Sequence, residues 1–314
     1  MITRDCKFFQ KAKQIAKAWV FIIVVLVAAS SCKSPRPEAQ SVDFNESTCN
    51  DNLTNSDSGL IRVSVATVIS PRESFVYYKQ LFDYMAQSLG VTVEYRQRNS
   101  YEEFNHLIAS NGTDLAFVCS SAYAFASDSM HLLVVPEHRG LPFYRAYVIA
   151  NRESDIQKFE DFKGKSFATS DTLCLTGSLF VNYRLKGLGT KPQEFFSNIY
   201  HSPSHDVSIL LVGRGLIDGA SVNGLILDYL ANFHPKLIEN IKIVEKSPYF
   251  GIPPIVTSTQ IDSNLRNRLE VFFLNMHQTA IGQNILYNLN IDRFVLARDS
   301  LYDGIRKMKV SIAQ

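Results

Sequence analysis

The chain reads as an α/β protein of two lobes, each a mostly parallel sheet flanked by helices, joined by two crossings. Three observations predict this. From Leu60 onward, β-branched runs with period two alternate with apolar runs at helical spacing. The β-α-β-α-β order of the first half calls for parallel strands with right-handed crossovers. A second strand–helix series opens near Tyr144, and Pro248, Gly251, Pro253 and Pro254 mark where the chain crosses back.

The elements follow in order. Leu60 to Val68 is a strand of β-branched residues, broken at Ser70-Pro71. Phe75, Tyr78, Phe82, Met85 and Leu89 then share one helical face, and Gly90 ends that helix. Val91 to Arg96 alternates as a strand. Ser100 and Glu103 form a capping box for a helix carrying Tyr101, Phe104, Leu107 and Ile108, which Asn111-Gly112 stops. Leu115 to Cys119 is a short buried strand, Ser120-Ser121 starts a helix, and His131 to Pro136 is a strand. In the second unit, Tyr144 to Asn151, Ser166 to Thr169, Asn198 to His201 and Ile241 to Lys246 are strands. Helices are expected over Thr176 to Lys186, Lys191 to Phe196 and Leu225 to Asn232. After residue 260 only helices are visible (264–277, 281–289 and 302–309), and they are expected to pack back on the first unit.

The N-terminus sets the compartment. Arg4, Lys7, Lys11, Lys13 and Lys17 precede an uninterrupted apolar run, Ala18 to Ala29, too short for an ordinary membrane span. Small residues lead to Cys32, which resembles a lipoprotein cleavage site and would become the lipidated first residue. The position three before it is Ala29 rather than leucine; plain cleavage or an uncleaved anchor is the other reading. Residues 33–58 hold Pro35, Pro37, asparagines and serines with few large apolar side chains, so a flexible tether is expected. The expected organisation is therefore a leader over 1–32, a tether over 33–58, a first lobe from 59–143 plus 249–314, and a second lobe from 144–248.

The chain carries 32 basic and 30 acidic residues. Removing the leader takes away five basic residues and one acid, leaving a balance near zero that implies neither nucleic acid nor an anionic membrane surface as partner. The cysteines Cys6, Cys32, Cys49, Cys119 and Cys174 form no CxxC or Cys/His metal spacing, and neither a metal nor a cofactor is expected. Cys119 and Cys174 lie in the exported body, where a disulfide is chemically allowed; two small buried apolar residues is the alternative.

The chemistry concentrates at Ser204-His205-Asp206. A polar pair opens a short apolar helix, pointing backbone N–H groups and a positive dipole end at one spot, which suits an anion. His205 adds a donor whose charge depends on pH. The same residues also serve the helix alone, Ser204 as cap and Asp206 in the first turn. Asp218, after a buried strand pattern, is expected to order a turn. Ser70 and Arg72, at the first strand-to-helix junction, are weighed for the cleft, with a solvated helix start preferred for Arg72.

From Leu60 to the C-terminus, an ordered set of motifs resembles the phosphonate/phosphite/phosphate ABC-transporter substrate-binding family, the PhnD-like periplasmic proteins. The set comprises Gly112-Thr113-Asp114-Leu115-Ala116, Asp161-Phe162-Lys163-Gly164-Lys165, Phe195-Phe196, Ser204-His205-Asp206 and Gly215-Leu216-Ile217-Asp218. The resemblance implies a type II periplasmic-binding fold that grips an oxyanion between its lobes. It also implies a permease partner in the inner membrane and no chemistry on the ligand. Carried over by position, it nominates Tyr101, Tyr123, Thr176 and His205, together with the N–H groups near Thr176, Gly177 and Ser178.

This chain departs from the family at one loop. Where the family usually reads D-P-x-S-T-S-G, the chain reads Asp171-Thr172-Leu173-Cys174-Leu175-Thr176-Gly177, so two hydroxyl positions hold Cys174 and Leu175. An oxyanion short of buried partners costs about 1–3 kcal/mol per lost contact. Asn223-Gly224-Leu225 replaces the acid that aminoalkylphosphonate binders tend to place beyond the Asp218 strand. Two other function classes follow: a sensor or surface lipoprotein that kept the fold but changed its ligand, and a hydrolase using Cys174 and His205.

Overall fold

The computed structural model describes residues 59–66, 71–96, 98 and 100–313. The leader, Cys32, the tether, Ser70 and the Arg72 side chain lie outside the described residues. The first half gives β1 (Leu60–Val65), α1 (Pro71–Leu89), β2 (Thr92–Arg96), α2 (Tyr101–Ala109), β3 (Leu115–Phe117), α3 (Ser120–Ala126) and β4 (Met130–Glu137). A short crossing strand, β5 (Phe143–Tyr144), leads to β6 (Ala146–Asn151) and β7 (Ser166–Thr169). A π-turn over Leu175–Leu179 runs into α4 (Phe180–Gly187), followed by α5 (Pro192–Phe195), β8 (Asn198–His201), α6 (His205–Gly213) and β9 (Gly219–Asn223). Next come α7 (Gly224–Phe233), β10 (Ile241–Lys246), the return crossing β11 (Phe250–Gly251) and β12 (Ile255–Ser258). The chain closes with α8 (Ser263–Asn275), α9 (Ala280–Asn288), β13 (Arg293–Leu296) and α10 (Asp303–Ala313).

Two sheets result. The six-stranded sheet runs β13-β4-β12-β3-β1-β2 and the five-stranded sheet runs β10-β6-β9-β7-β8; β5 and β11 pair with each other as a two-stranded ribbon at the crossing. The sheets are mixed rather than mostly parallel. β1 pairs in parallel with β2 and β3, but β12 is antiparallel to both β3 and β4, and β13 is antiparallel to β4. In the second sheet, β7 is parallel to β8 and β9, while β6 runs against β9 and β10. Helical crossovers give the parallel pairs. The strands entered from a crossing are inserted in the reverse sense.

One strand, β13, departs from the expected all-helical tail, and another, β12, forms just before it where no strand was expected. β12 is fully buried in the centre of the first sheet, between β3 and β4. β13 is an edge strand burying only Phe294 fully. Each is four residues long, too short for a period to register.

Local signals account for the helices. Ser100 accepts a hydrogen bond from the Glu103 N–H at 3.2 Å and caps α2. Asn111 takes the left-handed conformation at φ 54° just past α2 and turns the chain into β3. One apolar cluster joins Leu81, Phe82 and Met85 of α1 to Leu269 and Phe273 of α8 across the first sheet. A second gathers Ile149, Ile209, Val212, Val222 and Ile226 behind the second sheet. The largest spans both lobes, joining Tyr101, Phe104 and Val118 to Phe159, Phe167, Leu175 and Phe180. The last helix, α10, packs against both α3 and α4, so it straddles the two lobes. Among the described residues no helix is long and apolar enough to cross a membrane.

Candidate functional site

Segments leaving the carboxyl ends of β2 and β3 meet those leaving β7 and β8, the place where open α/β sheets hold ligands. The contact is closed and direct. The Tyr101 N–H donates to Asp171 Oδ2 at 3.0 Å, and the Ser121 hydroxyl donates to the Leu173 carbonyl. What remains is a cavity of about 30 Å³ edged by Arg98, Tyr101, Ser170, Asp171, Ser204 and His205, room for water and little else.

Two thiols sit at the middle of this contact. Cys119 follows β3 and Cys174 precedes the π-turn; both are free and buried. The Cys119 thiol lies beside Cys174 and the Leu175 N–H, with the Ser121 hydroxyl 3.3 Å away. Cys174 Sγ also receives the Gly177 N–H, with the Thr176 hydroxyl 3.7 Å away. The neighbouring Cys119 thiol, together with these donors, lowers the Cys174 pKa, while Cys174 and burial raise that of Cys119.

His205 completes the cluster. Its Nδ1 accepts the Asn223 N–H at 3.3 Å, which leaves the proton on Nε2, 3.4 Å from Cys174 Sγ. Burial pushes its pKa down to about 4, so the ring is neutral near pH 7. It can therefore donate one hydrogen bond into the cleft. It cannot take up a second proton without setting Nδ1–H against the Asn223 N–H, so the arrangement is poor for shuttling a thiol proton. Among the described residues no group of three or more His, Cys, Asp or Glu is placed to hold a metal ion.

The sequence-nominated residues divide. Thr176, Gly177 and His205 converge on Cys174 Sγ. Tyr101 lies beside both thiols and Tyr144, and burial raises its pKa well above the usual phenol value. Ser178 is turned away, its hydroxyl donating to the Ser170 carbonyl at 2.9 Å, which ties the loop after β7 to the π-turn. Tyr123 stands apart. Its hydroxyl donates to Asp299 Oδ1 at 2.8 Å, and its ring packs edge-on against Tyr302 with centroids 4.7 Å apart. That hydroxyl serves the C-terminal segment, where Asp299 also pairs with Arg306 at 2.6 Å.

Ser204 occupies the N-cap position of α6, yet its side chain makes no capping bond. Its carbonyl instead accepts from the Ser202 hydroxyl at 2.7 Å and the Ser208 N–H at 3.2 Å. Gly177 is required by close approach: a Cβ there would lie 1.8 Å from Ser170 Oγ. Other motif residues are structural. Asp114 takes the Arg62 N–H at 2.8 Å and its guanidinium at 2.6 and 2.9 Å. Asp161 receives the Gln157 and Lys158 N–H groups, which lowers its pKa. Asp218 accepts from the Ser166 N–H and hydroxyl.

Sequence reasoning did not place Arg98, Tyr144 and Asp171 at this contact, and it weighed Cys119 only for a disulfide with Cys174. Three of them follow strand ends, a positional signal that points to Arg98 after β2, Cys119 after β3 and Asp171 after β7. Tyr144 lies on the crossing strand β5, near both thiols. Nothing local marks it.

A family model described as "ABC transporter, phosphonate, periplasmic substrate-binding protein" matches residues 63–302. The chain is 24% identical over 173 residues to the phosphonates-binding periplasmic protein of Escherichia coli (strain K12), covering 54% of this chain and 51% of that protein. The chain thus spans about half the length of this curated relative. Among solved structures, a binding protein component of an ABC phosphonate transporter from Pseudomonas aeruginosa superposes with a TM-score of 0.76 at 22% identity, over 82% of this chain and 87% of that one. PhnD1 from Prochlorococcus marinus (MIT 9301), solved in complex with methylphosphonate, gives 0.73 at 17% identity, over 81% and 98%. These likenesses show the two-lobed fold of type II periplasmic binding proteins. Matched by one family model over well more than half its length, the chain belongs to the family of periplasmic substrate-binding proteins of phosphonate ABC transporters.

Proposed function

We propose that this protein is the exported solute receptor of an ABC importer and that its ligand is a small oxyanion, a phosphonate first among phosphite and phosphate. The observation carrying this is a set of four groups around two adjacent buried sulfurs between the lobes: the Gly177 N–H, the Thr176 hydroxyl and His205 Nε2–H at Cys174, and the Leu175 N–H at Cys119. Preorganised amides in a dry site favour an anion. The two sulfurs now occupy the acceptor positions that ligand oxygens would take when the lobes part. Tyr101 offers a further hydroxyl from the first lobe, whereas the Ser178 N–H is taken by the Cys174 carbonyl at 3.0 Å and would have to be released to reach a ligand. Binding would favour a closed form recognised by a permease, a population shift with no chemistry on the ligand. Cys32 would carry the lipid that anchors the receptor to a membrane, with 33–58 as tether, 59–143 plus 249–314 as the first lobe and 144–248 as the second.

Titration calorimetry of the exported protein with methylphosphonate, phosphite and phosphate, beside mass spectrometry of co-purifying small molecules, tests this reading. Saturable binding of one of these anions is expected; none of the three binding would overturn it. A second reading has its own support. Cys174 and Leu175 stand where the family has hydroxyls, which favours a less charged ligand or a sensor on the same scaffold, and the co-purifying molecule would then be uncharged.

A further inference from the structure

The thiol pair at the centre of the cleft is not used by the oxyanion reading, and it has its own chemistry. Cys119 belongs to the segment after β3 and Cys174 to the segment after β7, so the two come from opposite lobes. They are 4% and 1% exposed and free, and the Ser121 hydroxyl's bond to the Leu173 carbonyl holds their two segments together, thiol beside thiol. Contact between them depends on the lobes being closed. Thiols in the bacterial periplasm meet an oxidising environment, where disulfides form and persist. We propose that Cys119 and Cys174 form a disulfide that staples the two lobes shut, placing the opening of this receptor under redox control.

The step balances with a small-molecule or protein disulfide as oxidant. In the open form the Cys174 thiolate, favoured by the Gly177 N–H, attacks one sulfur of that disulfide, making a mixed disulfide and releasing one thiolate. Closure presents Cys119, whose thiolate attacks Cys174 Sγ and expels the second thiol. Two cysteine thiols lose two protons and two electrons; the oxidant gains them as two thiols. Beside His205 the closed form leaves a cavity of about 30 Å³, so a phosphonate reaches these donors only after reduction lets the lobes part.

The exported protein is isolated without reductant, equilibrated with oxidised glutathione, alkylated and digested under non-reducing conditions. A Cys119–Cys174 cross-linked peptide that dithiothreitol dissolves is expected. Hydrogen exchange of the amides at 175–179 should slow roughly tenfold in the oxidised form and recover on reduction. Cys119→Ser and Cys174→Ser should each remove both effects. Alkylation of both cysteines after oxidation, a bridge to Cys49 instead, or a cross-link with unchanged exchange would each overturn the proposal. No ligand enters these measurements, so their failure is separate from failure of the oxyanion reading.

Discussion

His138 on the first lobe and Asp228 on the second are joined across the cleft by a 3.3 Å contact between Nε2 and Oδ2. The other ring nitrogen donates to the Asn290 carbonyl at 3.0 Å, and a carboxylate only accepts, so this geometry calls for a proton on both nitrogens. The bond to Asp228 raises the His138 pKa against the opposing effects of burial and of Arg139. A closed-state pKa above the open-state value gives closure a contribution that is complete below the ordinary histidine range. That contribution is lost as pH rises through the raised value. Small-angle scattering of the ligand-free protein should report a larger radius of gyration as pH goes from about 6 to about 9. His138→Asn should flatten that dependence, and an unchanged profile in the variant would exclude this pair as its cause.

His205 is held neutral, so it contributes a hydrogen bond rather than a charge. His205→Ala is expected to weaken methylphosphonate binding at least tenfold, about 1.4 kcal/mol, with the far-ultraviolet dichroism of the native fold kept. Calorimetry on the variant decides this; an unchanged dissociation constant removes His205 from the site. Because its pKa falls to about 4 on burial, the unfolded chain binds the proton first. Stability should therefore drop as pH falls from about 6.5 toward about 4, and the His205→Ala variant should lose part of that slope.

Gly177→Ala tests the close approach beneath the π-turn. A methyl group at that position would overlap Ser170 Oγ, so the loop after β7 must move. A loss of about 1–3 kcal/mol is expected in urea unfolding, together with weaker anion binding, because the Gly177 amide shifts with the loop. A variant as stable as the parent would mean that Ser170 yields at no cost.

Asp114→Ala separates a motif's structural part from its binding part. The carboxylate takes three hydrogen bonds from Arg62 and lies at the turn into β3. Removing it should cost about 1–3 kcal/mol of stability, because the partly buried guanidinium and N–H lose their acceptor. Ligand affinity of the folded variant should stay within about twofold, and a tenfold fall would move Asp114 into the site.

Much of the frame was legible locally. The capped helix α2 and the apolar face of α1 rest on interactions within a few residues or on one strong pattern, whereas Asp218 orders its turn through Ser166, 52 residues away. Strand direction did not follow from alternation alone. The sense of β12 is set by partners more than a hundred residues away, and four residues carry no period. The same divide holds at the site. His205 was nominated through the chemistry of a helix start and Gly177 through the family resemblance, and both lie against Cys174. Cys119 and Tyr144 become neighbours of Cys174 only when one lobe meets the other. The bond of Tyr123 to Asp299 was not legible, because Asp299 lies far along the chain in a segment with no signal of its own.

The greasy seam running through both lobes, with the final helix laid across it, governs kinetics as much as stability. Lobes that meet over so much apolar surface must part before solute enters, so capture of cargo would be gated by an internal unlocking step. The observed on-rate would then level off at high solute concentration instead of climbing with it.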